Sequence, residues 1–415
     1  MVATATGAPE QDEPARYRDI FAVPEFRLLA AGSALQLTFS MVVTLTLSVV
    51  VYRETRSPLL AALALAAGFL PHLVGATFLL AIADRARPRR ALVLLELLRA
   101  AVAVVLALGY LPVWAMLLLV LTANVLAPVN TAVRSALLPD LLDGDAYVLG
   151  RSVMNMIASS AQIAGAALGG LALATVGPNG AFVAVAAGCT VTAAAYRFGL
   201  AERPPRGRDQ GSTIRQTWSV NRWLLRSRTT RGLLLVQWLP LVLVAGAEAL
   251  FVPYSAGWNV PSAAGLLFGA AAGGMLLGDI AVARFLGPRR REQLALALAL
   301  LLTVPYLAFV LQPGLWLSVA VAGFANIGAA YQLGVQRRFL DAVPESMRGQ
   351  ALGLVPTGIM AIQGVTFTLA GWLAQRWSPH VVMLGFAALA VVSTLALAAH
   401  LLPDPWRRRE VVRPG

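Results

Sequence analysis

The sequence contains no lysine. All 33 of its basic residues are arginine, which excludes a P-loop lysine on nucleotide phosphates and a lysine that forms a Schiff base. Cysteine occurs once, at Cys189, so no intrachain disulfide can form. The three histidines, at positions 72, 380 and 400, are too scattered to suggest a metal centre. No metal and no cofactor is expected. Charge itself is scarce: 13% of the 415 residues are charged, against about 25% in a soluble domain. Hydrophobic residues make up 58%, and the mean hydropathy is +0.71. This balance belongs to a membrane protein.

The net charge of +13 does not point to nucleic acid. The arginines lie in short loops between apolar runs, not on one polar face. A span needs roughly 20 apolar residues. Twelve such runs can be read, at 28–52, 58–83, 91–111, 114–136, 148–174, 179–200, 232–257, 262–283, 293–311, 315–335, 350–374 and 380–402. Prolines fall inside several of them, at Pro71, Pro128, Pro240, Pro305 and Pro356. Membrane helices tolerate these because neighbouring helices satisfy the freed backbone groups. The N-terminus is acidic and the first apolar run is full length, so no cleaved signal peptide is expected.

Orientation follows from the arginines. With the N-terminus inside, 29 fall on the cytoplasmic side, Arg53, Arg56 and Arg376 fall outside, and Arg99 remains within a span. Four outer connections, "GYLP", "TVGPNG", "AGWNVPSA" and "LQPG", carry no charge, and Trp114, Trp258, Trp316 and Trp377 sit at the outer boundary. Both termini are therefore expected in the cytoplasm, in the cytoplasmic membrane of a bacterium. The longest connection divides the chain into a cytoplasmic segment 1–27, a six-helix bundle 28–200, a basic linker 201–231, a second bundle 232–402 and a tail 403–415. Part of the linker, "STIRQTWSVNRWLLRSR", reads either as a surface helix with Ile214, Trp218 and Leu225 on one side or as a solvated linker.

The halves echo each other. "RPRRALVLL" after the second run matches "GPRRREQLAL" after the eighth, and "LLPDLLDGDAYVLG" before the fifth has a looser counterpart, "AVPESMRGQALGL", before the eleventh. Two repeated six-helix halves with substrate held between them are the plan of secondary transporters. The expected fold is thus an all-α membrane protein of twelve helices in two pseudo-repeats.

The loop "LAIADRARPRRAL" resembles the connection between helices two and three of the major facilitator superfamily, Gly-x-Leu-Ala-Asp-Arg-x-Gly-Arg-Lys/Arg. Asp84, Arg85, Arg89 and Arg90 match, while Leu80 and Arg87 replace the two glycines. "PEFRLLAAGS", "LLELLRA", "APVNTAVRSALLPDLL" and "VPESMRGQALGL" resemble, in order, segments of the exporter branch that includes enterobactin exporters. "GAALGG" matches the antiporters' Gly-Pro-x-x-Gly-Gly at Gly165, Gly169 and Gly170, with Ala166 in place of proline. The same glycines also suit plain close helix packing. The resemblance implies that Asp84 faces the N-terminus of helix eleven, near Ser346 to Gly349, as part of a cytoplasmic gate with Arg85, Arg89 and Arg90.

Ionisable groups inside spans are functional candidates by default. Glu96 and Arg99 lie three apart on one helical face and can pair as a structural or gating element. Glu248 falls near the middle of span seven with no basic residue within a turn or two, and it is the candidate for proton coupling. Asp279, nearer the cytoplasmic end of span eight, is the reserve, with Arg284 or loop arginines as partners. Gln36, Asn124, Asn155, Gln162, Gln237, Asn326, Gln332 and Gln363 are candidates for an apolar cavity with a few polar anchors, or for bonds between helices. The expected function is proton-coupled export of a small amphipathic organic molecule by a monomer in the bilayer. An importer or uniporter of the same fold, and the permease partner of a separate ATPase, remain open. No catalytic cluster marks an enzyme.

Overall fold

The computed structural model describes residues 17–70, 87–203, 219–258, 260 and 263–401, and they are built of helices. The N-terminal half comprises α1 (Tyr17–Ala22), α2 (Pro24–Thr55), α3 (Pro58–Ala66), α4 (Pro88–Ala107), α5 (Val113–Val125), α6 (Ala127–Leu141), α7 (Gly144–Thr175) and α8 (Gly177–Gly199). The C-terminal half comprises α9 (Arg228–Glu248), α10 (Phe251–Ser255), α11 (Ala263–Phe285), α12 (Pro288–Thr303), α13 (Leu315–Ile327), α14 (Tyr331–Asp341), α15 (Glu345–Leu373), α16 (Pro379–Ala396) and α17 (Ala398–Leu401). Among the described residues, nine helical stretches are long and apolar enough to cross a membrane. The expected spans 91–111 and 148–174 fall on α4 and α7, which are not among the nine. Span 58–83 begins in α3 and continues outside the described residues.

Proline sets several helix starts. Pro24, Pro58, Pro88, Pro288 and Pro379 each occupy the first helical position, where the missing N–H has no intrahelical partner in any case. Pro88 and Pro288 open α4 and α12, so the repeated Pro-Arg-Arg marks the same element in each half. Ser57 caps α3 by accepting from the Leu60 N–H at 3.3 Å.

Proline within spans has a different result. Pro240 leaves the Val236 carbonyl without its helical donor. Tyr331 Oη donates to that oxygen at 2.9 Å, and Gln332 Nε2 donates to the next carbonyl, Gln237 O, at 3.3 Å. Here α14 supplies what α9 lost. Pro253 and Pro305 instead end regular helix. The α9 ladder stops at Glu248, four to five residues before Pro253, and α12 passes into a 3-10 segment, Val304–Leu311, around Pro305. A third break follows α13, where Gly328–Ala330 is 3-10.

Each half packs around its own core. In the first, α4 lies along α8 and α2 along α7; in the second, α9 lies against α15 and α16, and α11 against α13. Contact between the halves runs through α7 with α11, α3 with α15, and α10 with α2 and α3. These contacts gather at the end of the molecule that carries few arginines. Leu45, Val49, Leu173, Val252 and Ala264 form a buried cluster across that seam, and Gln375 Nε2 donates to Ser57 Oγ at 3.3 Å. Trp114, Trp258, Trp316 and Trp377 all lie at the same end.

Within the linker, residues 219–226 are helical. Val220 and Leu224, not Leu225, form the buried side, and they join the core of the C-terminal half. Leu225 is exposed because it lies off the 220/224 stripe. Ile214 and Trp218 lie outside the described residues, as do the segment 1–16 and the tail beyond 401.

Candidate functional site

Two buried polar centres stand out, one in each half. In the N-terminal half, Glu96 on α4 is 0% exposed. Arg99 Nη1 donates to Glu96 Oε1 at 3.1 Å, so the pair expected from i,i+3 spacing is formed. A second arginine joins it. Arg134 on α6 is 5% exposed, with Nη2 3.6 Å from the same oxygen. Its Nη1 donates to Ser33 Oγ at 2.9 Å and its Nη2 to Gly32 O at 3.4 Å. Tyr196 of α8 lies beneath, its ring centroid 6.0 Å from the guanidinium carbon. Gly32 is required here, because a Cβ would run into the Tyr196 phenol. One network therefore ties α2, α4, α6 and α8. Sequence reading placed Arg134 with the cytoplasmic arginines, but the structure buries it in the bundle.

The centre of the C-terminal half is Glu248. Tyr306 Oη donates to Glu248 Oε1, and Asn326 Nδ2 donates to the same oxygen at 2.9 Å. Asn326 Nδ2 is also 2.9 Å from Tyr306 Oη and 3.0 Å from Ala322 O. Tyr306 and Asn326 are buried, whereas Glu248 keeps part of its surface accessible. All three lie at the helix breaks described above: the end of α9, the 3-10 segment after α12, and the end of α13. Irregular backbone at membrane depth is tolerated where protein surrounds it or it lines a polar site. No arginine takes part in this centre among the described residues. The hydrogen bonds reach spans nine and ten, and Tyr306 had no sequence signal beyond being an aromatic residue beside a proline.

The remaining candidates separate by role. Asn124 Nδ2 bonds Ala67 O at 3.1 Å, holding α5 to the end of α3. Gln237 Nε2 turns back on Leu233 O at 3.3 Å, and Gln332 bonds the Gln237 backbone. Asn124, Gln332 and Asn326 thus bond other helices, whereas the Gln237 side chain stays on its own. Gln36 is buried on α2 and Gln363 half-buried on α15. The side chains of Asn155 and Gln162 are outside the described residues. Asp279 is half-buried on α11 and forms no pair with Arg284 or a loop arginine among the described residues. Arg291, in the first turn of α12, instead donates to the carbonyls of Val282, Ala283 and Leu286 at 2.6–3.2 Å.

Asp84 and Arg85 lie outside the described residues, but their neighbours do not. Arg87, Arg89 and Arg90 all converge on Glu202, just past α8, with Arg90 Nε at 2.8 Å and Arg87 Nη1 at 3.4 Å. Glu25 at the start of α2 holds the adjoining residues, accepting from Ala201 N and Arg203 Nη2 at 2.6 Å each. Glu202 was missed in the sequence because its partners are over 100 positions away.

The three glycines of "GAALGG" face two ways. Gly165 and Gly169 fit against Met41, Thr38, Val42 and Leu45 of α2, while Gly170 meets Gly265 of the opposite half. The seam thus closes on bare backbone.

This two-half helical architecture agrees with the sequence comparisons. The family model described as Major Facilitator Superfamily matches residues 29–337 and 261–415. The chain belongs to the major facilitator superfamily. It is a multi-pass membrane protein with a transporter fold. Similar solved structures include a bacterial homologue of the human lysosomal transporter Spinster in an inward-facing, unoccupied conformation, at 15% identity and TM-score 0.66, covering 94% of this chain and 100% of that one. A POT family transporter in complex with a thioalcohol-conjugated peptide is 12% identical with TM-score 0.67, covering 90% and 95%. The nucleoside transporter NupG is 14% identical with TM-score 0.62, covering 90% and 99%. At these identities the superfamily fold is shared and nothing finer. No curated relative matches the sequence.

Proposed function

We propose that this superfamily member exports a small amphipathic organic molecule by alternating access, in exchange for inward proton flow, with Glu248 as the coupling carboxylate. The observation that carries the reading is the Glu248 centre. A carboxylate used for coupling must gain and lose a proton within the cycle, so it cannot be locked to an arginine. Among the described residues Glu248 has only neutral partners, Tyr306 and Asn326. Both donate to Oε1, which leaves Oε2 as the oxygen that takes the proton. The orientation supporting export places the arginine-rich end, with both termini, in the cytoplasm. The seam at the arginine-poor end then closes the outer side, leaving the cytoplasmic side to admit substrate. Export itself is favoured by the series of segments resembling the exporter branch.

Purified protein in liposomes, offered a panel of dyes, antibiotics and siderophores under an imposed pH difference without ATP, tests the reading. Uphill movement of a panel member supports a proton-coupled carrier; movement only down its own gradient identifies a uniporter. Glu248→Gln imitates the protonated group, so it should abolish pH-driven accumulation while binding of a neutral substrate survives. Accumulation by that variant would place coupling elsewhere.

A further inference from the structure

The helices that meet at the seam carry their contact faces on toward the opposite end. On α11 the residues 265, 269, 272, 276 and 279 follow one another at spacings of four and three, which keeps them on one side of the helix. Gly265 at the head of this stripe touches Gly170 of α7, and a Cβ on Gly269 would lie 3.8 Å from Ala167 Cα. Farther along, Leu276 is 41% exposed and Asp279 is half-buried. The facing stripe of α7 behaves the same way: Gly170 is buried, Ser160 is exposed and Met156 is 56% exposed. Two faces buried together at one end and exposed at the other are the walls of a cleft between the halves, widening toward the arginine-rich end. Asp279 stands on that wall.

Among the described residues, nothing answers its charge. Asp279 makes no ion pair or hydrogen bond among the described residues. Arg284, five positions on, points about 140° away around the helix at 100° per residue. Arg291 is spent on the carbonyls that end α11. The described residues of the facing α7 stripe, Met156 and Ser160, offer no cation. A partly buried carboxylate without a partner is costly, and such groups in membrane helices mark the path of a substrate or ion. Apolar Leu276, one turn away, and Met156, which the register of the glycine contacts puts at the same level on α7, suit the hydrocarbon part of a ligand, and a flexible methionine adapts to more than one shape.

We propose that Asp279 recognises charge in the inter-half cleft and that the transported molecule presents an organic cation, carried on an apolar body, to its carboxylate. This rests on the transport reading above but assigns the substrate class and a recognition residue separate from the coupling group. The test is equilibrium binding of radiolabelled tetraphenylphosphonium to purified protein in nanodiscs, with empty nanodiscs subtracted and neutral triphenylphosphine oxide as the matched probe. Asp279→Asn should weaken tetraphenylphosphonium binding at least tenfold and leave triphenylphosphine oxide within twofold. Asp279→Glu, which keeps the charge, should bind the cation within about threefold of the original protein and guards against a folding artefact. Equal cation binding by Asp279→Asn, an equal loss of both probes in a well-folded Asp279→Asn protein, or no cation binding by the unaltered protein, overturns the proposal. Proton-driven movement of neutral solutes in liposomes would survive that failure, whereas absence of any transport with Asp279-dependent binding intact would strike only the transport reading.

Discussion

Gly170 and Gly265 meet backbone to backbone across the seam between the two halves. A Cβ on Gly265 would come 2.6 Å from Gly170 Cα, and one on Gly170 would lie 2.8 Å from Gly265 Cα. No flexible side chain is available to yield, since the obstructing atoms are main chain. Contacts of this kind are why small residues gather where membrane helices cross closely.

Gly170→Val should therefore force the halves apart at the arginine-poor end. Overpacking costs about 1–3 kcal/mol, enough to shift an equilibrium between two conformations by roughly 5–150-fold. A cysteine placed at Leu173, which is buried in the seam cluster, reads the change. It should label faster with a membrane-impermeant maleimide in the valine variant, while buried Cys189 stays unreactive in both. Unchanged labelling would show that the seam is a static packing contact.

The Glu96 network should dominate the stability of the N-terminal half. One carboxylate serves two arginines, so Glu96→Gln leaves both without their counter-charge. Removing one partner of a buried pair costs about 3–5 kcal/mol. Arg99, whose side chain keeps 17% of its surface, should tolerate Arg99→Gln with a smaller loss than Arg134→Gln, which is 5% exposed. Because the chain has a single, buried cysteine, a thiol-reactive dye reports unfolding directly. The midpoints should fall in the order Arg99→Gln, then Arg134→Gln and Glu96→Gln. Equal midpoints for all three would mean that the cluster is hydrated and contributes little.

How much of this was legible beforehand follows from sequence distance. Apolar run length and arginine placement gave the helices and the two halves, because each is a local property. The Glu96–Arg99 pair was legible for the same reason, being three residues apart. Arg134 was not: it sits two residues inside the end of its apolar run, and its partner Ser33 is 101 positions away. Pro305 was visible as a breaker, but nothing local tells that the phenol beside it reaches Glu248, 58 positions earlier. The amides were legible only as polar points, since a cavity anchor and a bond between helices need the same residue types. Val220 and Leu224 were not legible as the buried side of the linker helix, because they dock on a core that the linker sequence does not contain.

Glu202 makes a prediction about pH outside the membrane helices. Partial desolvation pushes its carboxyl up, but the combined pull of Arg90, Arg89 and Arg87 is greater and holds it below the usual carboxylate value. A group whose native value is depressed contributes stability above its unfolded value, near 4.3, and loses it only as pH falls through the lower native value. The clamp between residues 87–90 and 202 should thus persist at pH 5 and open under stronger acid. Hydrogen exchange of residues 200–203, corrected for intrinsic rates, should stay slow at pH 5. Glu202→Gln should exchange fast at every pH, and salt should loosen the unaltered clamp, because Arg87 and Arg90 are exposed. Slow exchange in Glu202→Gln would assign the ordering of this segment to Glu25 instead.

The last prediction concerns Tyr306, which distinguishes a coupling role for Glu248 from a purely architectural one. Its hydroxyl donates to Oε1, and a hydrogen bond to a charged group is worth about 1.5–3 kcal/mol. That bond favours the ionised carboxylate over the protonated acid. Tyr306→Phe removes it while keeping the ring, which stacks on Phe309 with centroids 5.5 Å apart. Asn326 remains as a donor at 2.9 Å, so the site is weakened and not dismantled. The proton should then be held more tightly, and half-maximal pH-driven transport should move to higher pH. At about 1.4 kcal/mol per pH unit, the displacement should be about one to two units. Asn326→Ala should move the profile in the same direction, since it removes the other donor. Each displacement should vanish in the Glu248→Gln background, where pH-driven transport is already lost and only downhill movement can be compared. A variant that lowers the transport rate evenly at all pH values, with an unmoved midpoint, would make Tyr306 and Asn326 mere supports for the broken helices and would remove proton coupling from Glu248.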